Sequence, residues 1–158
     1  MSTIRENASR KEVDQLTAPA SVTASFNSGS VDTKGCGSCS INISVGDVDN
    51  LSSSPPGDGS WTFALEESDD DSIFTAIADA ARVITSQGKS PMVAAAVTTG
   101  IFLTLDEAAV DYNKDWCVGV ITNKRYVRVA AVAVSTPGAS LIGISAIKEH
   151  LGVQPASN

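Results

Sequence analysis

The apolar residues of this chain recur in short runs of period two. From Cys39 to Val45, Cys39, Ile41, Ile43 and Val45 alternate with Ser40, Asn42 and Ser44, which is the pattern of a strand with one buried face. Trp61, Phe63 and Leu65 alternate with Thr62, Ala64 and Glu66 in the same way, so a second strand carries its large side chains on one side. Between the two, Ser52 to Gly59 holds Pro55-Pro56-Gly57-Asp58-Gly59, too many turn residues for any regular element. The segment Glu66-Glu67-Ser68-Asp69-Asp70-Asp71-Ser72 then predicts a turn, because Asp and Ser side chains bond the backbone around them. With Ile73 to Ile77 on its far side it reads as a hairpin. Residues Ile73 to Ile84 also fit one side of a short helix; a strand followed by a loop is the reading adopted.

Met92 to Val97 and Ile101 to Leu105 are apolar runs separated by Thr98-Thr99-Gly100, consistent with two strands joined at a turn or one strand broken by a bulge. After a polar connector over Asp106 to Asp115 come three more β-rich segments, Trp116 to Ile121, Arg125 to Ser135 and Ser140 to Ile147. Seven or eight short strands with regular turn signals predict an all-β domain, an antiparallel β-sandwich of jelly-roll-like type, over residues 35–155. Residues 1–34 are polar and lack a sustained period, and they read as an extended or partly disordered N-terminal arm. Within that arm Ile4, Val13 and Leu16 are isolated apolar positions and Arg5, Arg10 and Lys11 are basic. These six are the candidate contacts with a partner surface or with neighbouring copies, since isolated anchors become useful when a partner supplies a groove.

Composition narrows the partners. The 158 residues include 11 Lys and Arg against 18 Asp and Glu, a formal charge of −7, so phosphates are repelled and nucleic acid is not an expected partner. The N-terminal residues hold no apolar run of the kind that directs export, and no apolar stretch approaches the roughly 20 residues of a membrane helix. A soluble protein with no membrane partner is expected. In folding, a chain of this length buries roughly 68–70% of its unfolded surface, enough for one core.

The search for chemistry returns little. His150 is the single histidine, so a triad or a multi-histidine metal centre is hard to build. The sequence has no Gly-x-Ser-x-Gly, phosphate-binding loop, His-Glu-x-x-His or dinucleotide fingerprint. Glu66 and Glu67 point to opposite faces of their strand and do not converge on one bond. Cys36-Gly-Ser-Cys39 has redox spacing but leads into a strand instead of opening a helix. A zinc site from Cys36, Cys39, Cys117 and His150 needs ligands from three distant segments, with Cys39 in phase with the core. The acidic turn lacks the spacing that wraps a chain around calcium. No catalytic residue, metal site or cofactor is assigned, and a non-enzymatic protein is expected.

In Asn123-Lys124-Arg125-Tyr126-Val127-Arg128-Val129, Tyr126 and Arg128 share one strand face, the ring packing along the guanidinium stem, while Val127 and Val129 enter the core. Such strands also occur in jelly-roll carbohydrate-binding domains, which makes a carbohydrate-binding module one alternative. Against it, Trp61 and Trp116 lie in phase with apolar neighbours and not on an exposed platform.

Three blocks carry a resemblance. Val31-Asp32-Thr33-Lys34-Gly35 with the Ile41 to Gly46 strand, Trp61 to Ile77 with its Leu65-Glu66-Glu67-Ser68-Asp69-Asp70-Asp71-Ser72-Ile73-Phe74-Thr75 core, and Val118 to Val129 with its Lys124-Arg125-Tyr126-Val127-Arg128 core together resemble a family of small structural proteins encoded in the morphogenesis regions of tailed phages and prophages. The resemblance spans roughly residues 20–155 in order. The chain departs from the family pattern at Cys36, where an aromatic is usual, at Val120, where tyrosine is common, and in its Glu149-His150-Leu151-Gly152 tail. What it implies is a virion protein, made in the host bacterial cytoplasm, that decorates or cements the capsid exterior, with the major capsid protein and neighbouring copies of itself as partners in a homo-oligomeric layer. A tail, fibre or head-tail joining component is the alternative location within the particle.

Overall fold

The structure, a computed structural model, describes residues 11–48, 59–85, 100–105 and 113–149. Among these are eleven strands: β1 Lys11–Val22, β2 Phe26–Asn27, β3 Val31–Asp32, β4 Ser38–Val48, β5 Ser60–Ser68, β6 Thr75–Ala76, β7 Val83–Thr85, β8 Ile101–Leu105, β9 Lys114–Val120, β10 Tyr126–Val134 and β11 Ser140–Glu149. One sheet runs β1-β11-β4-β9-β7; the other runs β2-β10-β5-β6, with β3 also pairing β10 and β8 also pairing β5. Every described pairing is antiparallel. The expected all-β antiparallel sandwich is what the chain forms.

The core follows from the alternation. Ile41, Ile43 and Val45 of β4 face Trp61, Phe63 and Leu65 of β5 across the sandwich, joined by Trp116, Val127, Val129, Ile142 and Ile144, all buried in one cluster. Burying a tryptophan strands its indole N–H unless a partner is supplied. Here Trp61 Nε1 donates to Ser140 Oγ at 2.8 Å. In β8 the register slips between Phe63 and Ala64, so that Ile101 and Leu103 pair where Phe102 is the extra residue. A bulge turns two consecutive side chains the same way, and Phe102 and Leu103 are both buried. At the opposite end of β5, Gly59 lies so close to the β10–β11 turn that a Cβ would stand 1.9 Å from Pro137 N.

The hairpin read at the acidic turn is present, with Glu66 opposite Ala76 and Glu67 opposite Thr75. Beyond it the sequence reading needs two corrections. The loop expected to run up to Ile84 contains one 3-10 turn, Ala80–Arg82, capped by the Asp79 side chain, and then β7. The larger correction concerns the arm. Residues 11–34 are extended but belong to the sandwich: β1 pairs along β11, and β2 and β3 pair along β10. Period two fails in β1 because its register shifts between Gln15 and Thr17 and again between Thr17 and Ala20, and each irregularity reverses the face on which the next side chain falls. The candidate strand Met92 to Val97 lies outside the described residues.

Candidate functional site

The chemistry-bearing residues gather where β5 and β10 reach the same end of the sandwich. Tyr126, Val127 and Arg128 stand opposite Ser68, Glu67 and Glu66 on one side of β10, and Tyr126 stands opposite Asp32 on the other. Segments distant along the chain thus meet in one ladder, and their charges pair across it. Arg128 Nε donates to Glu66 Oε2 at 2.7 Å. Arg125 grips Asp32 with two nitrogens, Nη2 to Oδ2 at 2.7 Å and Nε to Oδ1 at 3.1 Å, and Lys124 pairs with Asp69. Bidentate guanidinium contacts of this kind fix geometry as well as charge.

Glu67 continues the inward phase of Trp61, Phe63 and Leu65 and is buried. A carboxylate there needs partners. Arg82, delivered by the 3-10 turn, pairs with it, and Thr122 Oγ1 donates to its Oε2 at 2.6 Å. Burial pushes its carboxyl up, but the hydrogen bonds from Arg82 and Thr122 outweigh that and hold it below the usual glutamate value. Arg82 Nε also donates to Ile121 O at 2.9 Å, and Ile121 N donates to Arg82 O at 2.8 Å, tying the turn to the end of β9. The hydrogen bond from Arg125 likewise holds Asp32 low, against burial, which pushes it up.

The acidic turn itself is built on Asp70. Its Oδ1 accepts from Ile73 N at 3.0 Å, from Ser72 N at 3.0 Å and from Ser68 Oγ at 2.9 Å, and these bonds lower its carboxyl. Phe74, just past the turn, lies under the Arg128 guanidinium, 4.0 Å from ring centroid to Cζ, while Arg125 lies over Tyr126 at 4.9 Å. Tyr126 and Arg128 do share the outer face, but each takes a different partner from the one read in the sequence. Arg128 stacks on Phe74, because the hairpin folds that ring back over the strand.

This arrangement holds strands together. Glu66, Glu67, Asp32 and Asp69 each have a cationic partner, and Asp70 is occupied by its own turn. A general acid or base must exchange its proton with a substrate, and the carboxyls of Asp32, Glu67 and Asp70, held low by their bonds, resist protonation. Trp61 and Trp116 are 0% and 1% exposed, so neither offers a sugar a stacking platform. Two shallow depressions on the outer face of the five-stranded sheet, of about 410 and 310 Å3, are floored by Gly119 and Gly143 and bordered by Ser38, Ile84, Ser44 and Leu141.

The cysteines are separated by the pleat. Cys39 faces the core and Cys117 the solvent from adjacent strands of one sheet, so the two thiols are on opposite faces. Burial pushes Cys39 up to about 12 and raises Cys36 as well. Cys36 Sγ donates to Thr33 O at 2.9 Å. His150 lies outside the described residues.

Of the six candidate contact residues, Ile4, Arg5 and Arg10 lie outside the described residues. Lys11 pairs with Glu149 at 2.6 Å. Val13 is 65% exposed. Leu16, the extra residue of the first register shift, is half-buried and packs against the core cluster. Sequence reasoning missed Arg82, Thr122 and Lys148. The first two had a signal: a glutamate at the fourth inward position of β5 demands buried partners. Lys148 sits between Glu12 and Asp14, at 3.1 and 2.9 Å. Burial would depress its ammonium, but the two carboxylates overcome this and raise it.

The geometry defines a two-sheet antiparallel β-sandwich with a charge-paired end. No protein-family model matches the sequence, and no curated protein matches it. Among solved structures, the chain is similar to the SPBc2 prophage-derived protein YomS, with 12% identity and a TM-score of 0.48 over 87% of this chain and 93% of that one. Overlap at that level carries no functional information.

Proposed function

We propose that this chain is a non-enzymatic structural protein of a tailed-phage virion, decorating or cementing the capsid exterior. The observation that carries the reading is the ladder at the end of β5 and β10. The charged residues of the blocks that resemble the phage family are engaged with one another, as expected of a motif that shapes a domain and not of one that transforms a substrate. An acidic chain of −7 also suits a protein packed in many copies outside the shell, where it stays soluble and does not compete for packaged DNA. Its partners are the major capsid protein and neighbouring copies of itself, and it is made in the host bacterial cytoplasm before assembly. The contact region is the β1 border, with Ile4, Arg5 and Arg10 preceding Lys11 and the exposed Val13.

The test is incorporation into particles. Heads and tails separated from a lysate should show this chain on heads, and Val13→Asp together with Ile4→Asp should lower its occupancy there. Its presence on tails alone would favour the tail, fibre or head-tail joining location; its absence from both would overturn the virion reading.

A further inference from the structure

Gly46, Gly119 and Gly143 stand inside strands of the five-stranded sheet. A glycine there weakens its strand, and it marks a place where something approaches the backbone closely. At two of the three, the chain itself supplies the neighbour. A Cβ on Gly46 would come 3.0 Å from Leu141 Cδ2, and one on Gly143 would come 3.0 Å from Pro19 Cγ. On Gly119 it would meet only Ile84, at ordinary contact distances of 3.4 Å and beyond, and Gly119 does not have a positive φ. Neither backbone conformation nor a neighbour within the chain calls for glycine at this position. What the missing side chain leaves is the hollow of about 410 Å3 on the outer face, walled by Ser38, Ser40, Ile84, Ile121 and Thr122.

The face around the hollow is free of charge. One cross-strand row runs Ile147, Ser40, Gly119 and Ile84 over β11, β4, β9 and β7, and the next runs Ser145, Asn42 and Cys117. None of these side chains is an acid or a base pair member, in a chain whose formal charge is −7, and charged residues are depleted in this way at the centre of protein interfaces. Ile84 and Ile121 stand 56% and 53% exposed at the rim. The sheet is five strands wide, so the face measures roughly 25 by 25 Å at ordinary strand spacings, and its relief brings it toward the roughly 800 Å2 per side of a stable pair.

We propose that the occupant of the hollow is a second copy of this chain, laid outer face to outer face with the twofold axis running along β4. That axis carries β11 of each copy over β9 of the other. Ile147 of each then enters the hollow at Gly119 of the other, while Ser40 and Asn42 meet their own counterparts. A projecting side chain and a matching hollow on one surface, placed symmetrically about β4, are what an isologous interface requires, and the two sheets stay aligned as in a sandwich. The pairing rests on the reading of neighbouring copies as partners and gives that reading a surface. It is measured on the purified protein, so dimerisation can fail while the chain is still found on heads, and the reverse.

The experiment is sedimentation of the full chain under reducing conditions, at about 100 μM, where a micromolar pair is nearly all dimer. The parent protein should be a dimer; a monomer would overturn the proposal. Gly119→Val adds a side chain that the strand accommodates and that fills the hollow, and it should weaken the dimer by about tenfold or more while the β-sheet circular dichroism stays that of the parent. Ile147→Ala should weaken it as well. The two changes together should pair more tightly than Gly119→Val alone, because the smaller residue makes room for the added valine. Dimerisation untouched by Gly119→Val, or a double variant no tighter than Gly119→Val, would overturn pairing through this hollow. Ser40→Arg, beside the axis and clear of the core, sets two guanidinium groups against each other and should abolish the dimer. A dimer that survives Ser40→Arg but is lost in Val132→Arg, at an exposed position of β10 in the other sheet, would overturn the proposal and move the contact to that sheet.

Discussion

β5 and β10 run side by side for nine residues, from Ser60 opposite Val134 to Ser68 opposite Tyr126, yet their two ends are held by different forces. At one end Trp61, Phe63 and Leu65 sit in the core with no exposure, and the pair is stabilised by removing apolar surface from water. At the other, Glu66, Glu67 and Tyr126 to Arg128 are held by guanidinium–carboxylate pairs and a cation over a ring. The lesson is that one ladder can join a region insensitive to pH and salt to a region that depends on both. The sequence blocks that look most like a motif belong to the second region, and their chemistry is spent within the fold.

The contrast breaks most readily in the core. Phe63→Ala should cost about 3–5 kcal/mol of unfolding free energy, as a large-to-small change in a packed interior does, read by denaturant unfolding at neutral pH. A loss under about 1 kcal/mol would mean that burial is not what secures this end. Glu67→Gln should cost about 1–3 kcal/mol, since Thr122 keeps an acceptor but Arg82 loses its carboxylate in a partly buried setting. Should that loss equal or exceed the loss from Phe63→Ala, the ranking of the two ends would be reversed.

Acid sharpens the comparison further. Glu67 and Asp32 titrate below their ordinary values when folded, so the unfolded chain binds more protons through the acid range. Their contribution is complete above the unfolded carboxyl range of about 4 and is lost as pH falls through the lower folded values. The penalty of Glu67→Gln should therefore shrink in unfolding experiments below that range, while the penalty of Phe63→Ala persists; a Glu67→Gln penalty unchanged in acid would sink the ion-pair account. The smallest effect is expected at Arg128→Gln. Its pair with Glu66 is partly exposed, and losing it together with the Phe74 contact should cost roughly 1 kcal/mol or less, with the cost falling as salt is raised.

Much of the fold was legible because period two is a local signal. Cys39 to Val45, Trp61 to Leu65 and Tyr126 to Val129 declare their buried faces by alternation, and the Asp70 turn declares itself through side chains that bond their own backbone. What escaped was wherever the period was interrupted or the element was short. β1 is a 12-residue strand hidden by two register shifts, and β7 has three residues that alone carry no period. Cys36 and Cys39, neither assigned a role from the sequence, differ once placed: Cys39 fills core volume, whereas Cys36 closes a turn onto Thr33.

The candidate site divides along the same line. The sequence by itself determined that this chain has strands, which residues of each strand face inward, and that a glutamate at position 67 stands in an inward phase; all three depend only on neighbours a few residues apart. Only the tertiary structure decided that Arg82 and Thr122 meet Glu67, that Arg128 takes Phe74 while Arg125 takes Tyr126, and that β1 forms a border of the sheet. Those pairings join residues whose separation along the chain sets no distance in space, and the packing of one sheet on the other brings them together.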